Sequence, residues 1–184
     1  MNAGEVTLIG LTGKLGAGKD TVADYLVKKK NFKKYGCSDI LKEKLKEEGK
    51  EASIDNLIEL GNGLREKIGP GVLAEMLLEK ISQNEDMAAV IVGLRHPAEV
   101  KTLKESGAKI LSIESPQELR FERIQKRGEE RDKISLEEFK KQEEIQLQGR
   151  GNSANIIQCI ELADQEIDNG NGWEHLYEQV ERAC

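Results

Sequence analysis

Short apolar runs rich in β-branched residues alternate along this chain with longer stretches whose apolar positions recur every three or four residues. That order is expected of a parallel sheet covered by helices. The first run, Glu5-Val6-Thr7-Leu8-Ile9-Gly10, predicts a strand leading into a glycine-rich loop. A helix follows with Val22, Ala23, Leu26 and Val27 inward and Lys28-Lys29-Lys30 at its end, where the helix dipole favours cations. A short strand near Tyr35 to Cys37 leads to Ser38, read as the N-cap of a helix carrying Ile40, Leu41 and Leu45. Two helices fill the middle, one with Ile54, Leu57, Ile58 and Leu64 and one with Val72, Leu73, Met76, Leu77 and Ile81, separated by Gly69-Pro70-Gly71. Ala88-Ala89-Val90-Ile91-Val92 is apolar without alternation, as a strand buried on both faces is. A helix through Val100 and Leu103, a strand over 109–113 and a capping box at Ser115-Pro116-Gln117-Glu118 come next. A second capping box, Ser135-Leu136-Glu137-Glu138, opens a helix polar nearly all round, too hydrophilic for a core. The pattern closes with a helix through Ile156, Ile157 and Ile160, an edge strand near Glu166-Ile167, and a helix with Trp173, Leu176, Tyr177 and Val180 at i, i+3, i+4 and i+7.

The length of 184 residues suits one domain. With 38% hydrophobic residues the chain has too much apolar content for a disordered segment. Its 34 acids against 28 bases give a net charge of −6, which argues against a grip on nucleic acid or an anionic membrane by bulk charge. The longest apolar run, Met87 to Val92, falls far short of the roughly 20 residues that span a bilayer. A strand pattern beginning at Glu5 sets the expectation of no signal peptide. Cys37, Cys159 and Cys184 are odd in number and lack C-x-x-C spacing, which fits a reducing cytoplasm. The expectation is a cytoplasmic single domain with neither a nucleic-acid nor a membrane partner.

The chemistry begins after the first strand. Gly13-Lys14-Leu15-Gly16-Ala17-Gly18-Lys19-Asp20-Thr21 contains G-x-x-x-x-G-K, the phosphate-binding loop. Its glycines let backbone N–H groups surround a phosphate, Lys19 brings positive charge, and the next helix adds its N-terminal dipole. By composition the pattern would arise in roughly one chain in twenty of this length; its place between an apolar strand and a helix is what makes it specific. Two positions depart from the common pattern. Asp20 stands where serine or threonine usually ligates Mg²⁺, and Val92 ends the buried strand where many such enzymes carry an aspartate. Asp20 then either supplies the missing hard oxygen to Mg²⁺ or simply caps its helix.

With these motifs in hand, the chain resembles a P-loop kinase of the nucleoside-monophosphate-kinase group over nearly its whole length. The opening Ile9-Gly10-Leu11-Thr12-Gly13 through Gly18-Lys19-Asp20-Thr21-Val22-Ala23 is similar to dephospho-CoA kinases, and Gly93-Leu94-Arg95-His96-Pro97-Ala98-Glu99-Val100 to archaeal-type adenylate-kinase-related proteins. Ser38-Asp39-Ile40-Leu41-Lys42 falls where these kinases hold the acceptor, Arg123 and Arg127 match lid-flanking arginines, and Ala163-Asp164, Ile167 and Asn169-Gly170 resemble the close that shapes an adenine pocket. The resemblance implies a five-stranded parallel sheet with helices on both faces, a small helical lid over about 128–150 and acceptor-side helices over about 38–84. It also implies ligands at the carboxyl ends of the strands.

Arg120, Arg123, Arg127 and Arg131 are spaced 3, 4 and 4, so one continuous helix would align all four. Beside a phosphate loop, Arg123, Arg127 and Arg131 are candidates to stabilise a moving phosphoryl group. On the acceptor side, Asp39 could deprotonate a hydroxyl, whereas Arg65 and Arg95 could clamp an acceptor that already bears a phosphate. His96 is a loop residue at a helix start, with no role assigned. The expectation is an ATP- and Mg²⁺-dependent phosphotransferase acting on dephospho-CoA or a nucleoside monophosphate, as a monomer or small homo-oligomer. The rival is a nucleotide-hydrolysing switch or assembly factor.

Overall fold

The computed structural model describes residues 6–128, 134–148 and 155–184. In chain order the elements are β1 (Thr7–Thr12), α1 (Lys19–Lys30), β2 (Lys33–Gly36), α2 (Cys37–Glu47), α3 (Ile54–Lys67), α4 (Val72–Gln83) and β3 (Ala88–Val92). They continue with α5 (Pro97–Glu105), β4 (Lys109–Glu114), α6 (Gln117–Arg127), α7 (Leu136–Gln148), α8 (Ile156–Glu161), β5 (Gln165–Asp168) and α9 (Trp173–Ala183). The five strands pair in the order β2-β3-β1-β4-β5, all parallel. The expected five-stranded parallel α/β sheet is therefore present. β1 sits at its centre, with the phosphate loop at its carboxyl end, where α/β sheets bind ligands.

Period-two side-chain direction divides the core into two layers. Leu8, Ile91 and Ile110 join Leu73 and Leu77 of α4 and Val100 and Leu103 of α5. Ile9, Leu11, Val90 and Ile113 join Val22 and Leu26 of α1 and Leu176 and Val180 of α9 on the opposite face. Cover on both sides is why β1 and β3 read as unbroken apolar runs. Among the described residues, no helix is long and apolar enough to cross a membrane.

Several local expectations change. β2 ends at Gly36 and α2 already begins at Cys37, so Gly36 is the N-cap and Ser38 lies inside the first turn. α6 begins at Gln117 with no side-chain cap, because the Ser115 hydroxyl is drawn instead to the Asn169 carbonyl at 3.2 Å. The second capping box does form: Ser135 Oγ accepts from Glu138 N at 3.2 Å and Glu138 Oε2 from Ser135 N at 2.8 Å. α7 is polar nearly all round, yet it buries one face, for Phe139 and Glu143, one turn apart, are both buried. Trp173, at the start of α9, is 62% exposed and stacks on Tyr177 rather than entering the core.

Candidate functional site

Residues 13–18 carry the chain from β1 to α1. Gly18, the N-cap of α1, is left-handed at φ 100°, and a Cβ there would lie 2.1 Å from Asn169 Nδ2. Gly16, at φ 78°, rests on α6, where a Cβ would come within 2.6 Å of the Arg120 carbonyl oxygen. Lys19 turns its ammonium back along the loop, donating to the carbonyls of Gly13 at 2.7 Å and Lys14 at 2.8 Å. Two further carbonyls are held from outside: Leu15 O accepts from Arg120 Nη1 at 3.1 Å, and Ala17 O from Asn169 Nδ2 at 2.7 Å. Peptide planarity then turns the N–H groups of Gly16 and Gly18 away from those two donors. Burial lowers the Lys19 pKa to about 8, with the Arg95 guanidinium adding to the shift and Asp20 and Glu114 opposing it.

Asp20 is largely exposed and paired with Lys34 Nζ of β2 at 2.9 Å; the same ammonium reaches Asp24 at 3.1 Å. Burial works against the Lys34 charge, but the two carboxylates outweigh it and raise the pKa. Thr21, one residue on, is half-buried. Val92 ends β3 and offers no side-chain oxygen. Glu114, at the end of β4, has a buried Oε1 that accepts no hydrogen bond from the described residues. Burial pushes its pKa up, against the pull of the Lys14 ammonium.

The arginine row divides. α6 stops at Arg127, because Gly128 takes a left-handed cap at φ 69°. The expected single stripe is therefore broken, and Arg131 lies outside the described residues. Arg127 is exposed at the helix end. Arg123 donates to Ser115 Oγ at 3.1 Å and to the Asn169 carbonyl at 2.8 Å, which fixes the residue that braces Ala17. Gly170 N donates to Asp168 Oδ1 at 2.8 Å, shaping the turn after β5. Arg120, given no role by the sequence, is the arginine that touches the phosphate loop; its membership of the row was the available signal.

On the acceptor side, Ser38 and Asp39 are exposed in the first turn of α2, with Asp39 Oδ1 3.0 Å from Lys42 Nζ. Arg65 does not stand free as a clamp: its Nη2 is 2.6 Å from Oε1 of Glu99, a carboxylate with no exposure. The other Glu99 oxygen accepts from the backbone N–H groups of Arg95 and His96, each at 3.1 Å. Glu99 thus shapes the loop after β3 that carries the exposed Arg95, whose charge bears on Lys19. His96 caps α5, its Nδ1 accepting from Ala98 N at 3.2 Å. Asp39, Lys19 and Arg95 follow three neighbouring strands, β2, β1 and β3, at one edge.

A central parallel strand, a phosphate loop and a lysine opening the next helix define a P-loop nucleotide-binding protein of kinase-like architecture. The family model described as an AAA domain matches residues 9–148. Two solved structures share the fold. One is TT1252 from Thermus thermophilus, with TM-score 0.64 and 19% identity over 97% of this chain and 96% of that one. The other is shikimate kinase from Acinetobacter baumannii in complex with shikimate, with TM-score 0.59 and 17% identity over 97% and 91%. A UPF0200 protein of Sulfurisphaera tokodaii is 33% identical over 166 residues, 89% of this chain and 90% of the relative. Another, of Methanocaldococcus jannaschii, is 32% identical over 177 residues, 95% and 87% of the two chains. The chain belongs to this AAA-domain family and to the UPF0200 proteins.

Proposed function

We propose that the protein is an ATP- and Mg²⁺-dependent phosphotransferase acting on a small nucleotide-type acceptor. The observation that carries the reading is the loop itself, at the carboxyl end of β1: Lys19 bridges the Gly13 and Lys14 carbonyls, and the Leu15 and Ala17 carbonyls are held from outside, which leaves the Gly16 and Gly18 N–H groups for an anion in the hollow of the loop. In that hollow Lys19 and the loop amides bind the β and γ phosphates, with Gly13, Lys14 and Ala17 completing the wall. Thr21 lies beside it on α1. Arg127, at the end of α6 where a lid over about 128–150 would start, is assigned to the transferring group, as is Arg131 from its place in the sequence, while Arg123, Asn169 and Gly170 border the base. Helices over about 38–84 frame the acceptor.

Asp20 fits a Mg²⁺ contact by its chemistry, since its exposed carboxylate already holds a cation, the Lys34 ammonium. Among the described residues no group of three or more His, Cys, Asp or Glu side chains gathers as a metal site. That suits an ion held mainly by phosphates and water with one carboxylate. When bound, Mg²⁺ neutralises charge across the β and γ phosphates.

For the acceptor, Ser38 and Asp39, in the first turn of α2 just after β2, suit a hydroxyl, as in a dephospho-CoA kinase: Asp39 orients it and takes its proton as the oxygen attacks the γ-phosphorus and the bond to the bridging oxygen breaks, releasing ADP. The engagement of Arg65 by Glu99 favours this over a two-arginine phosphate clamp. A nucleoside monophosphate is the second reading, favoured by Arg95 lying near enough to Lys19 to depress its pKa. The test is Lys19→Ala, expected to fold and to lose phosphotransfer; a folded variant turning over at the wild-type rate overturns the proposal.

A further inference from the structure

We propose that Arg120 and Glu143 act as one positioning unit, through which the docking of α7 on α6 holds the outer wall of the phosphate loop in its anion-binding shape. This rests on the nucleotide-binding reading above. Arg120 is 2% exposed and Glu143 6%, rare burial for both residue types. The guanidinium donates from Nε to the Ser115 carbonyl at 2.9 Å, from Nη1 to the Leu15 carbonyl at 3.1 Å, and from Nη1 to Glu143 Oε1. Glu143 Oε2 accepts from Gln117 Nε2 at 2.7 Å, so both of its oxygens are bound to α6 side chains. The Phe139 ring, one turn earlier on α7, lies 5.7 Å from the guanidinium carbon and 5.5 Å from the Phe121 ring.

A guanidinium this buried keeps its place only with a counter-charge. Glu143 supplies it from a helix whose other described side chains, Phe139 apart, are exposed. Remove the carboxylate and Arg120 turns toward water, leaving the Leu15 carbonyl without its donor. The Leu15–Gly16 peptide is then free to rotate, and its N–H is one of the two that the proposed phosphate contact uses. Neither residue touches a ligand. Their effect passes through the loop.

The experiment measures metal-free binding of a fluorescent ATP analogue, thermal stability, and amide hydrogen exchange at Leu15–Gly18. In Arg120→Met with Glu143→Leu, both buried charges go together, so the melting temperature should stay at or above the wild-type value. Nucleotide affinity should still fall about 10- to 100-fold, and the loop amides should exchange faster. Glu143→Gln keeps the shape but removes the counter-charge, and should lower affinity in the same direction as the double variant. Arg120→Lys cannot reach three acceptors with one ammonium, and should lose affinity at nearly unchanged stability. Wild-type affinity in the double variant, or in Arg120→Lys should the double variant not fold, overturns the proposal. Wild-type protein that binds the analogue no better than Lys19→Ala removes the nucleotide-binding reading and this proposal with it.

Discussion

Raising the pH should weaken nucleotide binding well below the range in which lysines normally titrate. Burial, helped by Arg95, brings Lys19 to a pKa of about 8 in the free protein. A bound polyphosphate stabilises the ammonium, so the complex keeps a proton that the free protein loses above that value. Affinity is therefore nearly full at pH 7 and below and falls as pH rises through 8. Lys19 should be about nine-tenths protonated at pH 7 and about one-tenth at pH 9, a loss of about tenfold in affinity, with up to tenfold more per further unit. An ordinary lysine would lose only a few per cent over that range. The assay is equilibrium binding of a fluorescent, non-hydrolysable ATP analogue without metal, between pH 7.5 and 9.5 at fixed ionic strength. Lys19→Arg, which stays charged throughout, should bind with little pH dependence. A flat wild-type profile, or the same fall in Lys19→Arg, would refute the reasoning.

Asp20→Ala should raise the Mg²⁺ concentration for half-maximal turnover by about 10- to 100-fold while leaving metal-free nucleotide binding intact or tighter, and Asp20→Ser should recover part of the loss. Lys34→Met removes the ammonium now on Asp20 and should lower the Mg²⁺ requirement; Mg²⁺ titrations of turnover check both. For a hydroxyl acceptor Asp39→Asn should depress kcat by about 10²- to 10⁴-fold, whereas for a phosphate acceptor Arg95→Ala should do more damage, chiefly in acceptor KM. Glu99→Ala leaves the mostly buried Arg65 without its counter-charge and should cost up to about 3–5 kcal/mol, read by denaturant unfolding.

Where periodicity and local chemistry agreed, the sequence was a good guide. Ala88–Val92 forms an inner strand because both faces are covered, and the glycine spacing of residues 13–18 forms its loop because backbone approach demands it. The failures lie where long-range partners outweigh local preference. Ser115 looked like a helix cap but is taken by Asn169, more than fifty residues away. α7 looked too hydrophilic for a core, because one phenylalanine and one glutamate make a faint stripe; their burial depends on Phe121 and Arg120 across the interface. Arg120 was masked by its own row, since spacing aligns four arginines on a face but does not tell which turns inward. Arg65 and Glu99 lie on different helices, and no sequence pattern announces that they meet.

The central claim, phosphoryl transfer to a small acceptor, is tested most directly by incubating the protein with ATP, Mg²⁺ and a panel of acceptors. The panel includes dephospho-CoA and nucleoside monophosphates, with ADP release and product mass read together. The account predicts that one acceptor accelerates ADP formation and gains the mass of a single phosphoryl group, and that Lys19→Ala abolishes both. ADP formation that no acceptor accelerates, with every phosphoryl group recovered as inorganic phosphate, would contradict it and identify a nucleotide-hydrolysing switch instead.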